Sequence, residues 1–240
     1  MRVRADDRLT NGRDLGGLAT TDGGMVRPGV LFRSDDTGWA QGARSAALPD
    51  RVATAFDLRR PEEVAARGLP WFVDESTRRI SKNLAPVGTV AATISDATQL
   101  AEFYIRLFEA QTENLGEIVA ELASTDRLPA AVYCVAGKDR TGVVVATLGR
   151  LLGVRDEALV ADYARSASFM EGVRESGQLG DLGRGSVVLP LHDAPEQAMR
   201  LFLEAVASVY PSQRDLIRGL GLDSSTVAHL RERYLVPAAP

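Results

Sequence analysis

Cys134 is the only cysteine among 240 residues, and it lies in the stretch VYCVAGKDRTGVVV, residues 132–145. Most lone free cysteines are small buried hydrophobes. The residues after this one suggest chemistry instead. LPAAVYCV, opened by Pro129, reads as a strand, and TGVVVATLGRLLG reads as a helix ended by Gly153 at a C-cap position. Five residues separate Cys134 from Arg140 at the start of that helix. Such a loop suits a tetrahedral dianion. The amides around Val135, Ala136, Gly137 and Lys138 can turn inward as an anion nest, and the helix N-terminus adds its partial positive charge. Gly137 allows the tight curl, and Arg140 offers a planar fork to two phosphoryl oxygens.

The same field acts on the sulfur. A free thiol titrates near about 8.5, and helix N-termini and nearby cations lower this to roughly 3.5–7.5. Cys134 could then attack phosphorus to give a phosphocysteine that water later hydrolyses. Thr141, next to Arg140, could hydrogen-bond the thiolate and ease its departure. The nucleotide-binding loop needs Gly, four residues and then Gly-Lys-Ser/Thr, which is absent from the sequence. A magnesium-dependent kinase or NTPase is therefore not expected, nor is any cofactor.

Composition narrows the classes further. Net charge is −4, which argues against a general nucleic-acid or membrane-surface binder, so any anion must be held locally. Of 28 basic residues only Lys82 and Lys138 are lysines, which makes Lys138 inside the loop notable. His192 and His229 are the only histidines, too few for a zinc cluster or a histidine-rich site. One cysteine permits no internal disulfide and fits a reducing cytoplasm. Charges at the start of the chain leave no room for a signal peptide, and no apolar run is long enough for stable membrane insertion.

The elements that must position the loop read as one α/β domain over 1–240. LATTDGGMVRPGVLFRSDD reads as a β-hairpin about Asp22-Gly23-Gly24. A helix is expected over much of 39–48, then a buried strand over 52–57 ending in Asp57-Leu58-Arg59. Pro61-Glu62-Glu63 should open the next helix. From 96 to 123 two apolar stripes recur at helical period, opened by an Asp96/Gln99 capping box. These helices either pack on the core or supply a lid over the site. A helix is expected over 157–169, a mobile glycine-rich loop over 172–186, and further helices at about 195–209, 213–219 and 224–234. Arg59, at a strand's carboxyl end where ligands gather, is a substrate-binding candidate.

CVAGKDRTG resembles the signature loop of the atypical bacterial tyrosine phosphatases, cysteine-dependent enzymes that also accept phosphoserine, phosphothreonine and phosphoinositides. NGRDLGGLATTDGGMVRPGVLFRSD, FDLRRPEEV, ADYARS and the C-terminal helices are similar to that family too, so the likeness spans nearly the whole chain. It implies a central, mostly parallel sheet flanked by helices, with Cys134 as nucleophile and Arg140 as clamp. Inorganic phosphate should occupy the loop, and Lys138 should bind the substrate's phosphate or a second, inositol-borne one. Asp139 is the implied general acid, since no tryptophan-proline-aspartate loop is present, with Asp57 and Asp162 as alternatives. Asn11, Arg13, Asp14, Arg33 and Ser34 would tie the loop network together. Tyr133 stands where the family usually has histidine, which implies weaker thiolate stabilisation. A catalytically weak module that binds phosphorylated ligands is the competing expectation.

Overall fold

The computed structural model describes residues 9–40, 44–85, 94–178 and 193–238. Its central sheet contains β1 (Arg13–Asp14), β3 (Leu31–Ser34), β4 (Thr54–Asp57), β5 (Arg78–Ser81) and β6 (Ala130–Tyr133), in the order β1-β3-β6-β4-β5. Only β1 runs antiparallel, against β3; the other pairings are parallel. β3, β4 and β6 are buried along their whole length, as parallel strands covered on both faces must be. Strand alternation sorts their side chains. Ala130, Val132 and Cys134 join Phe56 in the main core, whereas Ala131 and Tyr133 join Phe32 and Ala55 in a smaller cluster closed by Leu48, Val52 and Phe72.

Nine described helices surround the sheet: α1 (Pro61–Arg67), α2 (Ala97–Ala110), α3 (Thr112–Ser124), α4 (Asp139–Leu152), α5 (Asp156–Ala164), α6 (Ser166–Glu175), α7 (Glu196–Val209), α8 (Gln213–Gly219) and α9 (Ser224–Tyr234). α4 runs through the main core, buried almost throughout from Thr141 to Leu152. α2 and α5 pack on α7, and α3 packs on α9. Both α2 and α3 set their apolar stripes into the main core. The Asp96 carboxylate caps α2 by accepting from Gln99 N at 2.9 Å, while the Gln99 side chain accepts from Ser95 N at 2.9 Å. No helix among the described residues is long and apolar enough to cross a membrane.

Several sequence expectations change in detail. The Asp22-Gly23-Gly24 turn is present, with Gly23 at φ 88°, but the hairpin extends only to the Ala19–Met25 bridge. β2 (Met25–Val26) then pairs antiparallel with β7 (Leu235–Val236), clasping the two ends of the fold. The helix expected over 39–48 is a single 3-10 turn, Gly38–Ala40, followed by irregular chain over 44–48; residues 41–43 lie outside the described residues. The Trp39 indole donates to Val135 O at 3.0 Å, which draws this segment onto the cysteine loop, and Ser45 Oγ accepts from Ala47 N at 3.1 Å, a local side-chain turn that competes with helix. The helix expected over 157–169 is split between α5 and α6. Arg13 Nη2 donates to the Asp162 carbonyl at 2.6 Å, where the chain's own bond has become an i→i+3 contact from Arg165 N at 3.3 Å. Of the loop expected over 172–186, Gly172–Glu175 finishes α6, and the part from 179 onward lies outside the described residues.

Candidate active site

Because β6 alternates, Cys134 and Tyr133 face opposite sides of the sheet. Cys134 is 2% exposed at the strand's carboxyl end, and the chain then curls toward α4. The curl is held from outside by its carbonyls. Val135 O accepts from the Trp39 indole at 3.0 Å and from Asp36 N at 3.2 Å. Ala136 O accepts from Asn11 Nδ2 at 2.8 Å, and Gly137 O from Arg33 Nη2 at 2.6 Å. In a planar trans peptide the following N–H points the other way, so the amides of Ala136, Gly137 and Lys138 face the inside of the curl. Gly137 has φ 64°, and a Cβ there would lie 2.5 Å from backbone atoms of Ser34 and Asp35. Both the dihedral and the close approach demand glycine.

Charge is organised around this nest. Arg140, 13% exposed, is clamped by the buried Glu63: Nη1 donates to Oε2 at 2.6 Å and Nη2 to Oε1 at 3.0 Å, while Nη1 also reaches Leu58 O at 3.3 Å. Burial alone would lower this guanidinium's pKa; Cys134, Glu63 and Asp139 outweigh it and raise the value above its ordinary level. Three of the five guanidinium donors are thereby used, which leaves the Nε–H and outer Nη2–H edge as a two-pronged donor. Thr141 Oγ1 is buried with no hydrogen-bond partner among the described residues, which leaves its hydroxyl unengaged beside the sulfur's loop. Asp139 opens α4 with its side chain 20% exposed, and its Oδ1 accepts from Tyr104 Oη at 2.7 Å and lies 3.3 Å from Lys138 Nζ. Lys138 Nζ also donates to Asp193 O at 2.8 Å.

A family model described as tyrosine phosphatase family matches residues 6–236. The chain belongs to the tyrosine phosphatase family. It is 28% identical over 251 residues to a candidate tyrosine-protein phosphatase of Cupriavidus necator, covering 96% of this chain and 88% of that one. It is 29% identical over 198 residues to the triple specificity protein phosphatase PtpB of Mycobacterium tuberculosis, covering 69% and 70% of the two chains. A tyrosine-protein phosphatase of Nostoc commune is 25% identical over 220 residues, covering 85% and 74%. The enzyme is thus a phosphatase, and its substrates are phosphorylated.

Within this phosphatase the fold brings Cys134, Val135, Ala136, Gly137, Lys138, Asp139, Arg140 and Thr141 together around one curl. It places three other candidates differently. Arg59, expected at the substrate, is fully buried: Nε and Nη2 donate to the two Asp57 oxygens at 2.8 Å each, and Nη1 donates to Gly68 O at 3.0 Å and Asp36 at 3.3 Å. Its guanidinium ties the end of β4 to the chain after α1 instead of reaching for an anion. Asp57 is occupied by Arg59 and by Tyr133 Oη at 2.8 Å. Asp162 holds Arg13 at 2.7 Å and Arg33 at 2.6 Å; burial pushes its carboxyl up, but the two arginines outweigh this and keep it below the usual range. Both aspartates are paired with buried arginines of the frame in this structure.

Asn11, Arg13 and Arg33 hold the loop as expected of supporting residues. Asp14 instead caps the hairpin, accepting from Gly16 N at 2.8 Å and Gly29 N at 2.6 Å. Sequence reasoning missed Glu63, Asp35, Tyr104 and Tyr163. For Glu63 the signal was the acid at N3 of α1, whose Oε2 accepts from Arg60 N at 2.8 Å; that reads as an ordinary cap until Arg140 is seen beside it. Asp35 accepts from Asn11 N and Thr37 N at 2.8 Å each, and burial pushes its carboxyl up to about 7. Nothing local singled it out.

Proposed function

We propose that this phosphatase hydrolyses phosphate monoesters through a covalent phosphocysteine at Cys134. The observation that carries the reading is the outward tethering of the Val135, Ala136 and Gly137 carbonyls, which turns amides inward beside a guanidinium steadied by Glu63. The phosphoryl oxygens take the inward amides and the open edge of Arg140, putting phosphorus in line with the sulfur. Sγ attacks phosphorus as the ester P–O bond breaks, and Asp139 gives its proton to the leaving oxygen. In the second step Asp139 takes a proton from water as that water attacks phosphorus, releasing inorganic phosphate and the Cys134 thiolate. Thr141 donates to the departing sulfur.

The substrate class we propose is phosphotyrosine, with phosphoserine, phosphothreonine and phosphoinositides accepted as well. Lys138 beside the nest supports a second anionic group, and the Mycobacterium tuberculosis relative is named for triple specificity. Release of phosphate from para-nitrophenyl phosphate, followed by trapping of labelled phosphoenzyme in denaturant at neutral pH, tests the mechanism. The wild type should turn over and yield an acid-labile covalent adduct; Cys134→Ser should do neither. Turnover by Cys134→Ser would overturn the nucleophile assignment. A panel of phosphotyrosine, phosphoserine and phosphothreonine peptides with phosphoinositides then ranks the substrates.

A further inference from the structure

Tyr104 lies in α2 and Tyr163 in α5, both buried in the main core, yet their hydroxyl oxygens meet 2.6 Å apart beside the cysteine loop. The rings stack edge to face with centroids 5.9 Å apart, and Tyr104 is also edge-on to Phe202 of α7 at 6.2 Å. Tyr163 packs against the start of α4, where a Cβ on Gly142 would lie 3.3 Å from its ring. Four helices, α2, α4, α5 and α7, therefore hold the pair. Tyr104 Oη donates to Asp139 Oδ1 at 2.7 Å.

Asp139 Oδ1 accepts from Tyr104 both in the carboxylate and when the proton sits on Oδ2, so Tyr104 spends its own proton on Asp139 and accepts the one from Tyr163. Burial, then the Asp139 charge, lifts both phenols well above their ordinary pKa, so the order Tyr163 to Tyr104 to Asp139 persists across working pH. Lys138 Nζ lies 3.3 Å from the same carboxylate oxygen. Both neighbours thus engage Oδ1, and among the described residues Oδ2 is the oxygen left to carry a transferable proton.

We propose that Tyr104 and Tyr163 form a positioning dyad that locks the Asp139 carboxyl, with Oδ1 held toward the helices and Oδ2 turned to the leaving oxygen. The inference rests on the reading of Asp139 as general acid. The dyad never touches substrate; it fixes the rotamer of the group that does. Without the phenolic donor the carboxyl can rotate, and proton delivery suffers in proportion to how much the leaving group needs it.

The test compares phenyl phosphate, a poor leaving group, with 2,4-dinitrophenyl phosphate, which departs without a proton. Asp139→Asn should lose about 100-fold in kcat/KM on the first and stay within about twofold on the second, the span of a general acid, because kcat/KM reports phosphoryl transfer to Cys134 and not the later hydrolysis. Tyr104→Phe keeps the ring and its packing and should lose about tenfold on phenyl phosphate alone. Tyr163→Phe should lose less, in the same direction. Added to Asp139→Asn, Tyr104→Phe should cost nothing further, because one path has already been cut. Equal losses on both substrates, or full additivity with Asp139→Asn, would overturn the dyad and leave Tyr104 a packing residue. If Asp139→Asn itself shows no leaving-group dependence, the general-acid assignment fails first and the dyad with it. Should Tyr104→Phe melt early, Tyr163→Phe carries the same comparison.

Discussion

The contact most open to challenge is the abutment of Arg140 on Glu63. Glu63 has a side chain 3% exposed and meets both terminal nitrogens of an arginine 13% exposed, at 2.6 and 3.0 Å. Removing one partner of a buried pair costs about 3–5 kcal/mol, since the survivor stays desolvated without compensation. Arg140 keeps some access to water and a bond to Leu58 O, so Glu63→Ala belongs at the low end, about 3 kcal/mol. Glu63→Gln preserves shape and one good acceptor but loses the charge, and should cost about 1–2 kcal/mol. A kinetic effect of similar size should accompany the stability loss, because the guanidinium edge loses its aim. A displacement of about 1 Å can cost about 100-fold. We expect kcat/KM on para-nitrophenyl phosphate to fall about tenfold in Glu63→Gln and about 100-fold in Glu63→Ala, with competitive inhibition by inorganic phosphate weakening in step. Urea denaturation gives the stability arm, and Glu62→Gln, on the exposed neighbour, is the control that should change neither. A Glu63→Ala protein with wild-type midpoint, kinetics and phosphate affinity would show that Arg140 holds its orientation unaided, and the account of the clamp would be abandoned.

Three further outcomes follow from the same geometry. Gly137→Ala must adopt φ 64° and push a Cβ against the Ser34–Asp35 backbone, so it should lose about 3 kcal/mol in urea melts together with most phosphatase activity; near-normal values in both would refute the curl. Tyr133→Phe removes the donor to Asp57 on the face opposite Cys134, and should cost about 1 kcal/mol of stability while leaving kcat within about twofold; a tenfold loss would put Tyr133 back in the sulfur's environment. Burial without a cationic partner among the described residues raises the Asp35 carboxyl from 3.8 to about 7. A folded-state value above the unfolded one means the folded chain binds the proton more tightly. This contribution is therefore complete below about pH 4 and lost as pH rises through about 7, up to about 4 kcal/mol in all. The urea midpoint should fall between pH 5.5 and 8.5, and Asp35→Asn should flatten that fall; parallel slopes in the two proteins would exclude Asp35 as its source.

What the sequence by itself determined was local. Pro61 opening α1, Asp96 capping α2, Gly153 closing α4 and the five-residue interval from Cys134 to Arg140 each act within a few neighbouring residues, and each appears where propensity and capping place it. Failures began where a distant group engaged the segment, as Val135 O does the Trp39 indole and Arg13 the Asp162 carbonyl. Partner choice was the tertiary structure's alone. Glu63 and Arg140 lie 77 positions apart, Tyr104 and Asp139 35, and Asn11 and Ala136 125. An arginine's charge and reach are the same whether it faces an anion or a buried aspartate, so Arg59 and Arg140 looked alike in the sequence. The parallel pairing of β4 with β6 brings Asp57 alongside Tyr133, and the alternation of β6 sends Tyr133 to one face and Cys134 to the other. That packing, long-range and cooperative, decides which guanidinium is consumed by the frame and which keeps an open edge.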